Sequence, residues 1–437
     1  MSQLSHRVPS LREIPATTTW KKGDVLVLFG ELFNRGYANG LVEAAERRGM
    51  TVIRGTVGRR EKDGTLRPLN ADELATQTQP LVNVPLEAGF DMEMLSSGQT
   101  IIEMMKDVKL TDWENFKVPH AQLLEAKEKG ANRFATQVRT YLATLEPLLP
   151  AEANVHFAHL MAGGVPRARI VMPLMNRVFK GTGDRYLQSE TFWKSGLGEV
   201  ARESFLAVSA DTFKILIDES AALRSKLEKS GRHVSYSGYG YHGTEVMIKN
   251  EYQWQSYAPY LQGWAKIQLE NVAKDAFQRG IKAAVYNCPE ILTNSSSIFQ
   301  GVEVPLYPLL KALKHEGPSS AKTKKLWDDC QALLKPEVKI ADVLRWCEEC
   351  LSAPEVQAQS ELDLWPQHNT AKQMETLLAT SERIIGAHIS DKNLMTAVLS
   401  EEVFDACGEA MLADAAAPQQ PVSWINHDLV AKWAVRT

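Results

Sequence analysis

The sequence has few cysteines, and nothing in their placement makes them act together. Five are scattered over 437 residues. A sparse, odd-numbered set argues against a disulfide framework and fits a reducing compartment, so a cytoplasmic location is expected. Cys347 and Cys350 form a CEEC pair within KIADVLRWCEECLSA, which reads as an amphipathic helix. No second pair or nearby histidine cluster accompanies them, so helix packing is their expected role. The ten histidines form no H-x-x-x-H or HExxH pair, and no Gly-x-Ser-x-Gly elbow occurs. No metal site and no serine-hydrolase nucleophile are therefore expected. Long apolar runs are missing too. No stretch approaches the roughly 18–20 residues of a membrane span, and MSQLSHRVPSLREIPATTTW (1–20) lacks the apolar core of a secretory signal. There is no excess of positive charge: the net value is −4. Nucleic acid is thereby disfavoured as the main partner.

What is present is an ordinary globular composition, 44% hydrophobic and 23% charged. DVLVLFG (24–30) is an apolar run closed by glycine and reads as a buried parallel strand. GYANGLVEAAERRG (36–49) reads as a helix with basic residues in its last turn and Gly49 past its end. MTVIRGTV (50–57) is a second strand, completing a βαβ unit. Further strands are predicted at 80–88, 154–164, 232–240 and 281–292. Helices are predicted at 118–148, 204–227 and 260–280. This alternation predicts an α/β fold, a Rossmann-type doubly wound, mostly parallel sheet. Residues 1–310 would form that domain, with insertions near 60–80, 90–115 and 165–200. Residues 311–437 read as a mainly helical C-terminal extension packed on it.

The first strand-to-helix turn is GELFNRGYANG. Gly30, Gly36 and Ala38 stand where backbone N–H groups and the helix dipole can receive a pyrophosphate. The usual three-glycine spacing is not met, so a turn without a ligand is the competing reading. No acidic residue follows the second strand. Arg54, Arg59 and Arg60 stand there instead, which leans toward a 2′-phosphate and NADP(H), with solvated surface charge as the alternative.

The turn's Gly-x5-small-x-Ala order resembles that of enoyl-acyl-carrier-protein reductases, divergent short-chain dehydrogenases/reductases. Ala162 and Gly163 in HLMAGG match the family's cofactor wall without its asparagine. SYSG (235–238) resembles a family motif in which the tyrosine, here Tyr236, contacts the substrate carbonyl. GWAKIQLE resembles the lysine helix, with Lys266 in place. PEILT resembles the segment against the cofactor carboxamide, giving Ile291 and Thr293. IFQGVEVPLYPLLKALKHEG (298–317) is similar to the longer single-chain trans-2-enoyl-CoA/acyl-carrier-protein reductases. Their spacing of eight residues between tyrosine and lysine is met by Tyr257 and Lys266. Tyr260 is a second candidate, although six residues span about 600° of helix and would not share a face with Lys266.

The resemblance implies an NADH- or NADPH-dependent reductase of an α,β-unsaturated acyl thioester, carried by CoA or by acyl-carrier protein. Tyr257, with Tyr236, would stabilise the enolate, and Lys266 would hold the ribose. Gly30, Gly36, Ala38, Arg59, Ala162, Gly163, Ile291 and Thr293 would line the cofactor. Two other readings stand beside it: a carbonyl reductase on the same scaffold, and a non-catalytic relative that binds a cofactor or partner. Homo-oligomerisation is left open.

Overall fold

The computed structural model describes residues 8–15, 19–62, 64–256, 261–293, 299–363 and 365–436. Its strands are β1 (Ser10–Leu11), β2 (Val25–Glu31), β3 (Thr51–Gly55), β4 (Arg59–Arg60), β5 (Leu66–Arg67), β6 (Leu81–Val82), β7 (Val155–His159), β8 (Val234–Gly240), β9 (Thr244–Ile248), β10 (Glu251–Gln255), β11 (Ala283–Asn287) and β12 (Val422–Ile425). Eight of them form one sheet in the order β1-β12-β11-β8-β7-β2-β3-β6. Each pairing in that sheet is parallel. The doubly wound expectation is therefore met, and the chain reverses direction of growth between β2 and β7.

The continuous apolar run of β2 follows from burial on both faces. Leu26 and Leu28 enter one core cluster, with the helix Tyr37–Arg47 and the C-terminal helices. Val25, Val27 and Phe29 enter the other, with Phe157 of β7 and the helix His120–Leu145. A strand covered on both sides has no polar face to show in its sequence.

Three differences from the expected elements have physical causes. The strand expected at 80–88 pairs only over Leu81–Val82, where it meets Arg54 and Gly55. Pro80 and Pro85 flank that short piece and cannot donate to a ladder. Residues 244–255 form an antiparallel hairpin, β9–β10, turning through Lys249 and Asn250 at φ 49 and 64. Both central residues of such a two-residue turn need positive φ. Third, the mainly helical residues 311–437 also carry one strand: β12 lies inside the main sheet, between β11 and β1.

Cys347 and Cys350 are buried in the helix Ile340–Leu351, unpaired. Among the described residues no helix is long and apolar enough to cross a membrane.

Candidate active site

A parallel sheet opens a crevice beyond its strand ends where the winding reverses. Here that crevice is a cleft of about 210 Å³ above β2, β7 and β8. The β2 turn contributes Glu31, Arg35, Gly36, Tyr37 and Ala38. Leu160 and Ala162 follow β7, Tyr239 and Gly240 end β8, and Tyr241 follows it. Lys266 reaches in from the helix Gly263–Gln278, and Thr293 closes the side beyond β11.

The turn is shaped to leave room. Gly30 sits at φ 120, and a Cβ there would come within 3.1 Å of Leu160 Cβ. Glycine tolerates that backbone region at little cost. A Cβ on Gly36 would meet nothing within 4 Å, so the backbone is bare toward the cleft. Tyr37 opens the helix and its hydroxyl donates to the Pro289 carbonyl, tying the turn to the loop after β11.

Lys266 is only 6% exposed. Its Nζ donates to the Tyr239 carbonyl at 2.8 Å. Burial lowers its pKa to about 8, because a desolvated ammonium is destabilised relative to the amine. Burial also holds His159, beneath the cleft, far below its usual value, with the Lys266 charge adding to the effect. The Tyr239 ring stacks on Tyr37 with centroids 5.8 Å apart. Among the described residues its buried hydroxyl has no hydrogen-bond partner, and burial raises its pKa well above the ordinary phenol value.

Glu31 decides the electrostatics at the other end. Its Oε2 accepts from Thr56 Oγ1 at 2.9 Å, Val57 N at 3.1 Å and Arg59 Nη1 at 3.1 Å. Burial alone would raise the carboxyl, but the hydrogen bonds from Arg59, Val57 and Thr56 outweigh it and lower the pKa. A carboxylate supplied by β2 thus stands at the end of β3, where the sequence shows no acidic residue. The arginines have partners of their own. Arg54 lies 3.5 Å from Glu46, and Arg60 pairs with Glu87. Arg59, expected to meet a 2′-phosphate, is paired with Glu31, and Glu31 lines the cleft.

The structure brings Gly36, Ala38, Ala162, Lys266 and Thr293 into one cleft, with Gly30 beneath it. Arg59 stands behind Glu31. Gly163, at φ 95, follows Ala162 with open space at its Cβ position. Ile291 has its side chain in the core, 3% exposed, two residues before Thr293 at the cleft. Tyr236 is likewise buried. It lies four residues before the end of β8, facing the core opposite the cleft, stacked on Phe157. Its hydroxyl bonds Ser220 Oγ at 2.8 Å and accepts from Arg224 at 3.1 Å. The strand alternation places Tyr239 and Tyr241 at the cleft instead. The Tyr-x-Gly order recurs at Tyr241-His242-Gly243, a signal that was readable in SYSGYGYHG. Tyr257 and Tyr260 lie outside the described residues. Among the described residues no group of three or more His, Cys, Asp or Glu could hold a metal ion.

Comparison with known proteins finds a matching family and similar solved structures. The sequence profile of the family described as enoyl-acyl carrier protein reductase FabMG matches residues 7–434. The apo structure of FabMG, a novel type of enoyl-acyl carrier protein reductase, is 42% identical. It covers 98% of each chain with a TM-score of 0.94. An NADH-bound FabMG structure is 36% identical, over 97% of this chain and 98% of its own, with a TM-score of 0.78. No curated protein matches in sequence.

Proposed function

The chain belongs to the FabMG family of enoyl-acyl carrier protein reductases, and from that premise we propose that it reduces the α,β double bond of an enoyl thioester with NADH in the cleft beside Lys266. The observation that carries this reading is the buried Lys266 ammonium facing an open strand-end crevice at the reversal of the sheet. The residues present fit a dinucleotide. The bare Gly36 backbone and the start of the Tyr37–Arg47 helix suit a pyrophosphate, with Arg35 beside them. Lys266 suits the nicotinamide ribose hydroxyls. Bound there, the nicotinamide supplies the hydride.

The thioester would lie toward Tyr241. As charge develops on its oxygen, a hydroxyl donor in a site with little water stabilises it far more than water would. Tyr241 stands at the cleft for that role, and Tyr257 retains the role that its spacing to Lys266 suggests. The natural substrate is an acyl-carrier-protein thioester, for which a CoA thioester is a small stand-in.

Glu31 favours NADH over NADPH. Its carboxylate can accept from a ribose diol and opposes a 2′-phosphate, since like charges brought together cost several kcal/mol. In the test, the purified protein is titrated with each nucleotide by thermal shift and then assayed with crotonyl-CoA and acetoacetyl-CoA. NADH stabilisation, with turnover of crotonyl-CoA and not acetoacetyl-CoA, is expected. Absence of stabilisation by either nucleotide sinks the reductase reading. Glu31→Gln should reduce the NADH:NADPH affinity ratio by about tenfold, equivalent to ~1.4 kcal/mol.

A further inference from the structure

Tyr241 lines the cleft, and the residue after it, His242, sends its side chain into the protein, where it is 12% exposed. His242 Nδ1 lies 3.1 Å from Glu270 Oε1 and 3.3 Å from Oε2. Its Nε2 lies 2.8 Å from the Leu362 carbonyl oxygen. Glu270 is 1% exposed and stands one turn beyond Lys266 on the helix Gly263–Gln278, so the two share a face. Two indoles from the C-terminal region pack on the imidazole. Trp365 has its ring centroid 5.4 Å away and Trp424 5.8 Å away. Trp365 also abuts the first residue of the lysine helix, where a Cβ on Gly263 would come within 2.2 Å of its ring. Trp424, in β12, donates its Nε1 proton to the His242 carbonyl at 3.3 Å.

The partners of the ring define its protons. A backbone carbonyl only accepts hydrogen bonds, and so does a carboxylate. Neutral imidazole has one donor nitrogen and one acceptor nitrogen, so it cannot serve both. Two arrangements satisfy the ring: an imidazolium beside a carboxylate, or a neutral ring accepting from a protonated Glu270. Asn287 Nδ2 donates to Glu270 Oε1 at 2.9 Å, and Lys274 Nζ lies 3.9 Å from Oε2, so a donor and a cation face the acid. The indole faces attract a cation at these distances. These neighbours stabilise the first arrangement.

We propose that His242 is a positioning residue: as an imidazolium clamped between Glu270 and the Leu362 carbonyl, it fixes Tyr241 at the cleft in register with Lys266. The inference rests on the reductase reading and adds how its hydroxyl donor is held. The chain needs such a clamp here, because Gly240 and Gly243 flank the Tyr241–His242 pair and glycine gives the backbone little stiffness. A donor aimed at the thioester oxygen before charge develops stabilises that charge without reorganising. Lys266 has its own anchor in the Tyr239 carbonyl, so the clamp acts on the substrate side and not on the cofactor. It also gives the C-terminal region a task, since Leu362, Trp365 and Trp424 all come from it.

The test uses the full chain with NADH and crotonyl-CoA. His242→Gln loses the charge and cannot span both partners. It should lower kcat by roughly 10²-fold, the scale of misplacing a reacting group by about 1 Å, and leave NADH affinity unchanged. Tyr241→Phe and the double variant complete a cycle. If His242 acts by holding Tyr241, the double variant is no slower than Tyr241→Phe alone. Losses that multiply would make His242 a general structural residue and overturn the proposal. So would unchanged kcat in His242→Gln, or a Tyr241→Phe rate equal to that of the wild type. Nitrogen-15 NMR of the wild type at neutral pH should show protons on both ring nitrogens of His242, and Glu270→Gln should remove one of them. A wild-type ring carrying a single N–H would overturn the proposal even where every variant fails to fold. Failure of the wild type to bind either nucleotide would instead refute the reductase reading itself.

Discussion

Lys266 is a cation in a place that resists cations. Burial brings its pKa to about 8, so the ammonium is present below that pH and is lost above it. A dinucleotide carries negative phosphates, and the ammonium can donate to ribose hydroxyls, so the protonated lysine is the form that binds. NADH affinity should therefore be flat below pH 7 and weaken as pH rises through about 8. Isothermal titration at several pH values reads this directly. Lys266→Met should weaken NADH at pH 7 by about tenfold or more, since hydrogen bonds to charged groups contribute ~1.5–3 kcal/mol, and should remove the pH dependence. A variant that keeps the same dependence would assign it to another group. Lys266 was legible in GWAKIQLE because its position on a helix fixes its direction. Tyr236 misled for an equally simple reason. Side chains alternate along a strand, so one tyrosine of SYSGYGY lies in the core while Tyr239 and Tyr241 reach the cleft. Glu31 was missed because its carboxylate crosses from β2 to the end of β3, a contact with no signature in local sequence.

At the scale of elements, the nucleotide turn is held from behind by a helix crossing. The helices Tyr37–Arg47 and Met395–Ala415 meet at two glycines. A Cβ on Gly40 would lie 1.8 Å from the Phe404 carbonyl oxygen, and one on Gly408 would lie 2.1 Å from Gly40 C. Arg47 secures the crossing with Asp405 and Glu409, each at 2.6 Å. Gly40→Ala cannot be accommodated by a side-chain rotation, because the clash is with backbone. It should cost ~3 kcal/mol or more, at or beyond the upper end for overpacking, seen as a lower melting temperature and weaker NADH binding, since the same helix begins at the turn. Gly36→Ala is the control: with open space at its Cβ position, it should leave stability nearly unchanged. The βαβ unit itself was readable from glycine punctuation and apolar runs. The partner helix was not, because a crossing between residues nearly 370 positions apart in the chain leaves only an unexplained glycine on each side. The β9–β10 hairpin was obscured similarly. Its Lys249–Asn250 turn lacks the glycine that usually announces positive φ.

On the scale of the whole molecule, residues near 422–425 complete the main sheet. β12 sits between β11 and β1, so one sheet joins residues 10–11, 283–287 and 422–425. Asn426 locks this closure. Its Oδ1 accepts from Thr244 Oγ1 at 3.1 Å and Glu245 N at 3.0 Å. Its Nδ2 donates to Ser10 Oγ at 3.0 Å and Glu245 Oε2 at 3.2 Å. The residue is fully buried, so removing the amide leaves unsatisfied groups that water cannot reach. Asn426→Ala should cost ~2–3 kcal/mol by that argument, without touching any residue that lines the cleft. Denaturant unfolding should show the loss as a lower midpoint, with NADH affinity preserved below the transition. Removing residues 418–437 goes further, because it uncovers the edge of β11 and the core beneath the final helix, His427–Arg436. An appended extension could be cut away and leave a domain that binds nucleotide. A chain whose sheet closes through its own C-terminus should lose cooperative melting and NADH binding together. A truncated protein that still melts sharply and binds NADH would show that β12 is dispensable to the fold.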